Sequence, residues 1–151
     1  MSTIKKFLNL IFIDGLSGMA LGLFSTLIIG TILKQAADLI GGDFGYYLSI
    51  FAVMAQRLTG AGIGIGVAYK YKSSTYVTLS AAAAGMIGAY ATAIISGSIL
   101  SDGALVYSGP GDPLSAFIAA LAGIAVGSLP AGKTKLDLLI TPAVTIIAGG
   151  A

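Results

Sequence analysis

Long apolar runs alternate along the chain with short polar breaks, and the breaks divide it into five apolar segments. The second, residues 44–69, reads FGYYLSIFAVMA, then Gln56-Arg57, then LTGAGIGIGVAY. As a helix, its 26 residues would reach about 39 Å at ~1.5 Å per residue. That length crosses a bilayer core of roughly 30 Å with room for tilt. The other segments lie near 15–33, 75–100, 114–129 and 138–151. Between them run KQAADLIGGD, with Gly41-Gly42 as its breaker, the turn around Lys70, Lys72 and Ser73-Ser74, the loop SDGALVYSGPGDP, and Pro130-Ala131-Gly132-Lys133-Thr134-Lys135.

This pattern predicts an all-α integral membrane protein forming a single transmembrane domain over 1–151. It has about five transmembrane helices with Gly/Ala-rich packing, and the second is open to a break at mid-membrane. The fifth segment ends about 14 residues in, short of the ~20 a span needs. The chain therefore reads as a truncated unit or half of a larger transporter. Its start, with Lys5, Lys6, an apolar run and Gly18-Met19-Ala20, imitates a signal peptide. Asp14 interrupts that run and apolar sequence continues to Leu33, so a short amphipathic approach and a retained first span is the better reading.

Lysine placement sets the expected topology. Five crossings put Lys5, Lys6, Lys70, Lys72, Lys133 and Lys135 on one face and only Lys34 on the other. The positive-inside rule then makes the N-terminus cytoplasmic. A re-entrant hairpin at 44–69 would divide the lysines less sharply, so the charges favour a true crossing.

Composition narrows the chemistry. The chain is 56% hydrophobic and 9% charged, with 22 Gly and a mean hydropathy of +0.96, where a soluble domain carries about 25% charged residues. A net charge of +2 gives no basis for nucleic-acid binding. All six acidic residues are Asp, and there is no Cys or His. Thiolate chemistry, ordinary zinc sites and acid–base catalysis by the usual groups are thereby removed. The expectation is no enzyme, no cofactor and no metal.

Several motifs invite a function. Residues 127–134, GSLPAGKT, fit the phosphate-loop pattern, but they follow an Ala-rich apolar segment rather than a strand and read as an interfacial turn. Gly60, Gly62, Gly64 and Gly66 miss the dinucleotide pattern in every register. They predict either close helix packing or an unwound stretch lining a polar site. Thr141-Pro142 predicts a kink in the last segment.

Arg57 is the sharpest candidate. A guanidinium at mid-membrane costs roughly 2.5–3.5 kcal/mol on insertion scales, and such charges mark pathways or internal ion pairs. Asp14 is the nearest carboxylate by depth. Gln56 both donates and accepts, which suits hydroxyl or carboxylate recognition. The candidate substrate-binding set is Gln56, Arg57, Gly60, Gly62, Gly64, Gly66 and Asp14.

The stretches FIDGLSGMALGLFSTLIIGTILKQ, QRLTGAGIGIGVAYKYK and AGKTKLDLLITPAVTIIAGG together resemble a bacterial membrane family. This is the sugar-phosphotransferase system EIIC-like permease family of the second EIIC type, in its N-terminal portion. The resemblance implies passage of a small solute, a sugar or small anion, across the bacterial inner membrane. Members of the family are longer, with further spans after the last stretch. Better understood sugar permeases of that system use His and Glu in the sugar site. This chain has neither, which counts against phosphorylation-coupled sugar uptake.

The expected partners are the lipid bilayer, a small-molecule solute and further copies of the chain as a homo-oligomer such as a homodimer. The alternative is a structural or regulatory membrane subunit packing against a partner through its Gly/Ala faces.

Overall fold

A computed structural model of the chain describes residues 2–107, 109, 111–127 and 137–150. The first element, α1, is one continuous helix, Thr3–Ile40, of 38 residues. The expected boundary at Leu33 is absent, because Lys34, Gln35 and Asp38 are compatible with helix and nothing breaks it before Gly41. There the chain turns at Gly41 and Gly42, with φ of +68° and +67°, a region that L side chains avoid and glycine enters freely.

Next come α2 (Gly42–Arg57) and α3 (Thr59–Lys70), bent by 52° at Leu58. A tight turn leads to α4 (Thr75–Ala89), where Ser74 caps the first turn by accepting from the Val77 amide. The expected third span to Leu100 stops short. The helix breaks at Tyr90, resumes as α5 (Ala91–Ser96) and ends on Gly97 in the left-handed conformation. A two-stranded antiparallel ribbon, β1 (Leu100–Ser101) with β2 (Ala104–Leu105), occupies the loop that follows. Then come α6 (Pro113–Gly127) and α7 (Asp137–Gly150), the latter with Pro142 inside it. Most of the GSLPAGKT motif, with Lys133 and Lys135, lies outside the described residues.

Among the described residues, only α1 is by itself long and apolar enough to cross a membrane; α2 and α3 pass the same test together, as a pair bent by 52°. The helices α4 and α6, at 15 residues each, reach about 22 Å at ~1.5 Å per residue. The structure therefore does not reproduce five full-length spans.

Packing follows from the small residues. Along α1, Gly18 lies on Gly66 and Val67, Gly22 on Gly62 and Ile63, Gly30 on Ala52 and Gln56, and Ala37 on Gly45. These pairs run monotonically, so α2 and α3 together follow α1 from one end to the other in the opposite direction. They do not double back. The turn at Lys70 and Lys72 consequently shares an end with the start of α1, and Lys34 sits toward the other.

On its opposite face α3 packs against α4, Gly60 on Gly85 and Gly64 on Ala81, and Gly88 of α4 meets Ser115, Ala116 and Ala119 of α6. Ile63, Val67, Val77, Ala81, Phe117, Ala120 and Ile124 form the core of this bundle. By contrast, α2 packs substantially on α1 alone.

Candidate functional site

The 52° bend places Gln56 and Arg57 at the last turn of α2 and Thr59 at the first turn of α3. A bend tilts backbone carbonyls off the helical ladder, and in an apolar surrounding such groups need partners. Hydroxyls supply them. Thr59 Oγ1 donates to the Gln56 carbonyl at 2.7 Å, and the Tyr90 phenol approaches the Arg57 carbonyl at 3.4 Å. The Tyr90 hydroxyl also donates to the Gly109 carbonyl at 2.6 Å, tying the loop after the ribbon to the same level. Its ring stacks obliquely on Tyr107, centroids 5.0 Å apart.

Facing the bend, α1 contributes two threonines. Thr26 Oγ1 donates to the Gly22 carbonyl at 2.7 Å and lies 3.4 Å from Thr59 Oγ1. Thr31 Oγ1 donates to the Leu27 carbonyl at 2.8 Å and accepts from Gln56 Nε2 at 3.1 Å. That last bond orients the Gln56 amide. Thr59 is 1% exposed, while Gln56 and Arg57 are half-buried, so the pair is accessible and the hydroxyl beneath it is not. Arg57 makes no ion pair among the described residues.

The structure brings together only part of the expected set. Gln56 and Arg57 are neighbours at the bend. Gly60, Gly62, Gly64 and Gly66 are helical throughout, and their surfaces are covered by Gly85, Gly22, Ala81 and Gly18. Of the two readings open for that run, the structure has close packing and not an unwound, site-lining stretch. The reason is geometric: residues two apart lie on opposite helix faces, so one pair of glycines serves α1 and the other α4.

Asp14 is not brought to Arg57. Its neighbour Gly15 packs on Tyr71 and Phe117, and roughly 20 Å of helix at ~1.5 Å per residue lies between that level and Arg57. At that end, burial first and the Asp14 charge second push the Tyr71 phenol above its ordinary 10.0.

Thr26, Thr31, Thr59 and Tyr90 were not among the expected residues. A threonine within an apolar helix ordinarily bonds its own i−4 carbonyl, as Thr26 and Thr31 do. Only the pairing of α1 with α2 and α3 reveals their second role.

A separate cavity of about 320 Å³, lined by Met86, Ile94, Ile99, Leu100, Leu105 and Tyr107, lies under the ribbon. Its wall is apolar and lacks the groups that would hold a polar solute. No cluster of metal-ligating side chains occurs among the described residues.

A predominantly helical, glycine-packed bundle with one long apolar helix and a bent apolar pair has the build of an integral membrane protein. A family model described as "Phosphotransferase system, EIIC" matches residues 13–151, and the chain belongs to that family, whose members are membrane permease components of sugar uptake. No curated protein and no solved structure matches the chain.

Proposed function

We propose that the chain forms part of an inner-membrane permease that binds a small polar solute, a sugar or small anion, at the junction of Thr31, Gln56 and Arg57. The observation that carries this is the half-buried Gln56-Arg57 pair, set at a helix break and oriented by Thr31. The guanidinium supplies donors for hydroxyl or carboxylate oxygens, and the amide both donates and accepts. The chain works without catalysing a reaction of its own, as a homo-oligomer. Its five apolar segments each cross the membrane, and the N-terminus is cytoplasmic. The shared end of Lys5, Lys6, Lys70 and Lys72 supports that orientation.

The alternative, a structural subunit held to a partner through glycine faces, loses its main surface. Gly18, Gly22, Gly60, Gly64, Gly66 and Gly85 are occupied within the chain itself.

Arg57→Ala separates the two readings. With the protein in lipid nanodiscs, neutral hexoses, hexitols and sugar acids are screened for a rise in melting temperature. The site reading expects the variant to remain assembled and to lose the rise given by whichever solute protects the wild type. A variant that falls apart, or that keeps its protection, overturns the site.

A further inference from the structure

Three helices lose their regularity at one level. In α1 the segment Phe24–Ile28 is wound as π-helical turns, a geometry that recurs at functional positions. Opposite it, the α2–α3 pair bends by 52° at Leu58, and Thr26 of the first irregularity faces Thr59 of the second at 3.4 Å. The break of α4 at Tyr90 joins the same level through its phenol and the Arg57 carbonyl.

On either side of this level the packing is of a kind that does not slide. Beyond it, residues 29–57 form a hairpin in which Gly30 sits against Ala52 and Gly45 against the Ala37 carbonyl, where an added Cβ would stand 2.6 Å from that oxygen. Before it, Gly18, Gly22, Gly60, Gly64 and Gly85 fasten α1, α3 and α4 backbone to backbone. Helix α2 has no substantial contact with α4, α6 or α7. The hairpin is therefore joined to the bundle by two chain crossings, 24–28 and 57–59, and by hydroxyl contacts between them.

We infer that residues 29–57 swing as a rigid arm about the Thr26–Thr59 pair, with Thr59 as the positioning residue of the pivot. Hinges in proteins are a few terminal residues of elements that absorb the backbone change while rigid bodies move. Here both crossings already depart from ideal α-helix: residues 24–28 are wound with the wider π-type hydrogen bonds and residues 57–59 hold the 52° bend, so rotation exchanges bonds that are already irregular. A 3.4 Å hydroxyl contact breaks and re-forms at low cost, whereas the glycine contacts resist. The arm carries Thr31, Gln56 and Arg57 together, so the swing moves them as a unit against Tyr90. With sixteen residues in α2, about 24 Å at ~1.5 Å per residue, a 10° rotation carries the tip by about 4 Å.

The pivot is tested by distances alone and needs no solute, so its failure leaves the binding reading standing. The chain has no native cysteine, and pairs can be introduced freely for spin labelling in nanodiscs. Leu39 at the arm tip and Leu79 on α4, 88% and 63% exposed, report arm against bundle; Ile32 and Phe51, 55% and 61% exposed, report within the arm. The expected result is a two-component or broadened distance for the first pair, its components separated by roughly 4 Å for each 10° of swing, and a narrow one for the second. Thr59→Val should shift the first pair's populations and Thr59→Ser should restore them. Thr26→Val gives the same readout from the more exposed side of the contact, should Thr59→Val fail to fold. A single narrow arm-to-bundle distance, unmoved by either valine variant, overturns the pivot. So does an equal spread within the arm, which would mean that the hairpin opens instead of swinging.

Discussion

Gly64 of α3 lies directly against the carbonyl oxygen of Ala81 on α4, with no room between them for a Cβ. Both partners are backbone, so neither can rotate away as a side chain would. Gly64→Ala should therefore force the two helices apart and destabilise the bundle by about 3 kcal/mol or more, at or above the upper end for overpacking. Gly97→Ala is the contrast. Nothing lies near it, but its φ of +79° is left-handed, and the cost should be about 1 kcal/mol from conformation alone. Melting temperatures of the two variants in nanodiscs check the order; equal losses would refute the packing account.

Gln56 Nε2 and Thr31 Oγ1 are coupled across the arm. A double-mutant cycle of Gln56→Ala and Thr31→Val should give a coupling of about 0.5–1.5 kcal/mol, the net value of one hydrogen bond. Strict additivity would show that the amide is not held by Thr31.

The Tyr90 hydroxyl anchors the loop through the Gly109 carbonyl. Tyr90→Phe keeps the ring against Tyr107 and removes that bond together with the longer contact to the Arg57 carbonyl. Hydrogen exchange over residues 100–107 should speed up, while exchange in α3, at the centre of the bundle, stays unchanged. Faster exchange in both regions would mean that Tyr90 supports the whole core.

Asp112 caps α6: its carboxylate accepts from the Leu114 amide at 3.0 Å and from Ser115 Oγ at 2.7 Å. The bond from Ser115 leads in holding its carboxyl below the ordinary 3.8. A lowered folded value means that the stabilisation is fully present above the unfolded pKa and is lost as pH falls through the folded one. The wild type should thus lose stability below about pH 4, and Asp112→Ala should remove that component and cost about 1 kcal/mol at neutral pH. Melting curves between pH 3 and 7 decide it; an unchanged acid limb in the variant would assign the effect elsewhere.

Topology has its own check. A single cysteine at Ser73, in the turn beside Lys72, should react only with reagent on the cytoplasmic side. One at Leu39 should react only from outside. Labelling in the reverse sense would overturn the proposed orientation.

By itself the sequence determined the membrane character, the helical class and the family. The first two rest on additive properties, namely apolar length, scarcity of charge and Gly/Ala content, that need no knowledge of neighbours, and the family on the resemblance carried by residues 12–35, 56–72 and 131–150. It also located the sharp turn at Gly41-Gly42 and singled out Gln56-Arg57, because a charged residue inside a 26-residue apolar run is conspicuous in any fold. What each glycine touches was not legible. Gly60 to Gly66 read equally well as packed or unwound, and only the approach of α1 on one face and α4 on the other decided for packing. The tertiary structure alone set Asp14 beside Tyr71 and away from Arg57, since depth along one helix says nothing of which residues of another lie at that level. It likewise drew Thr26, Thr31 and Tyr90 to the bend. The two threonine hydroxyls have ordinary local partners in sequence, the Tyr90 phenol reaches carbonyls far along the chain, and the three meet only where the antiparallel helices come together at the bend.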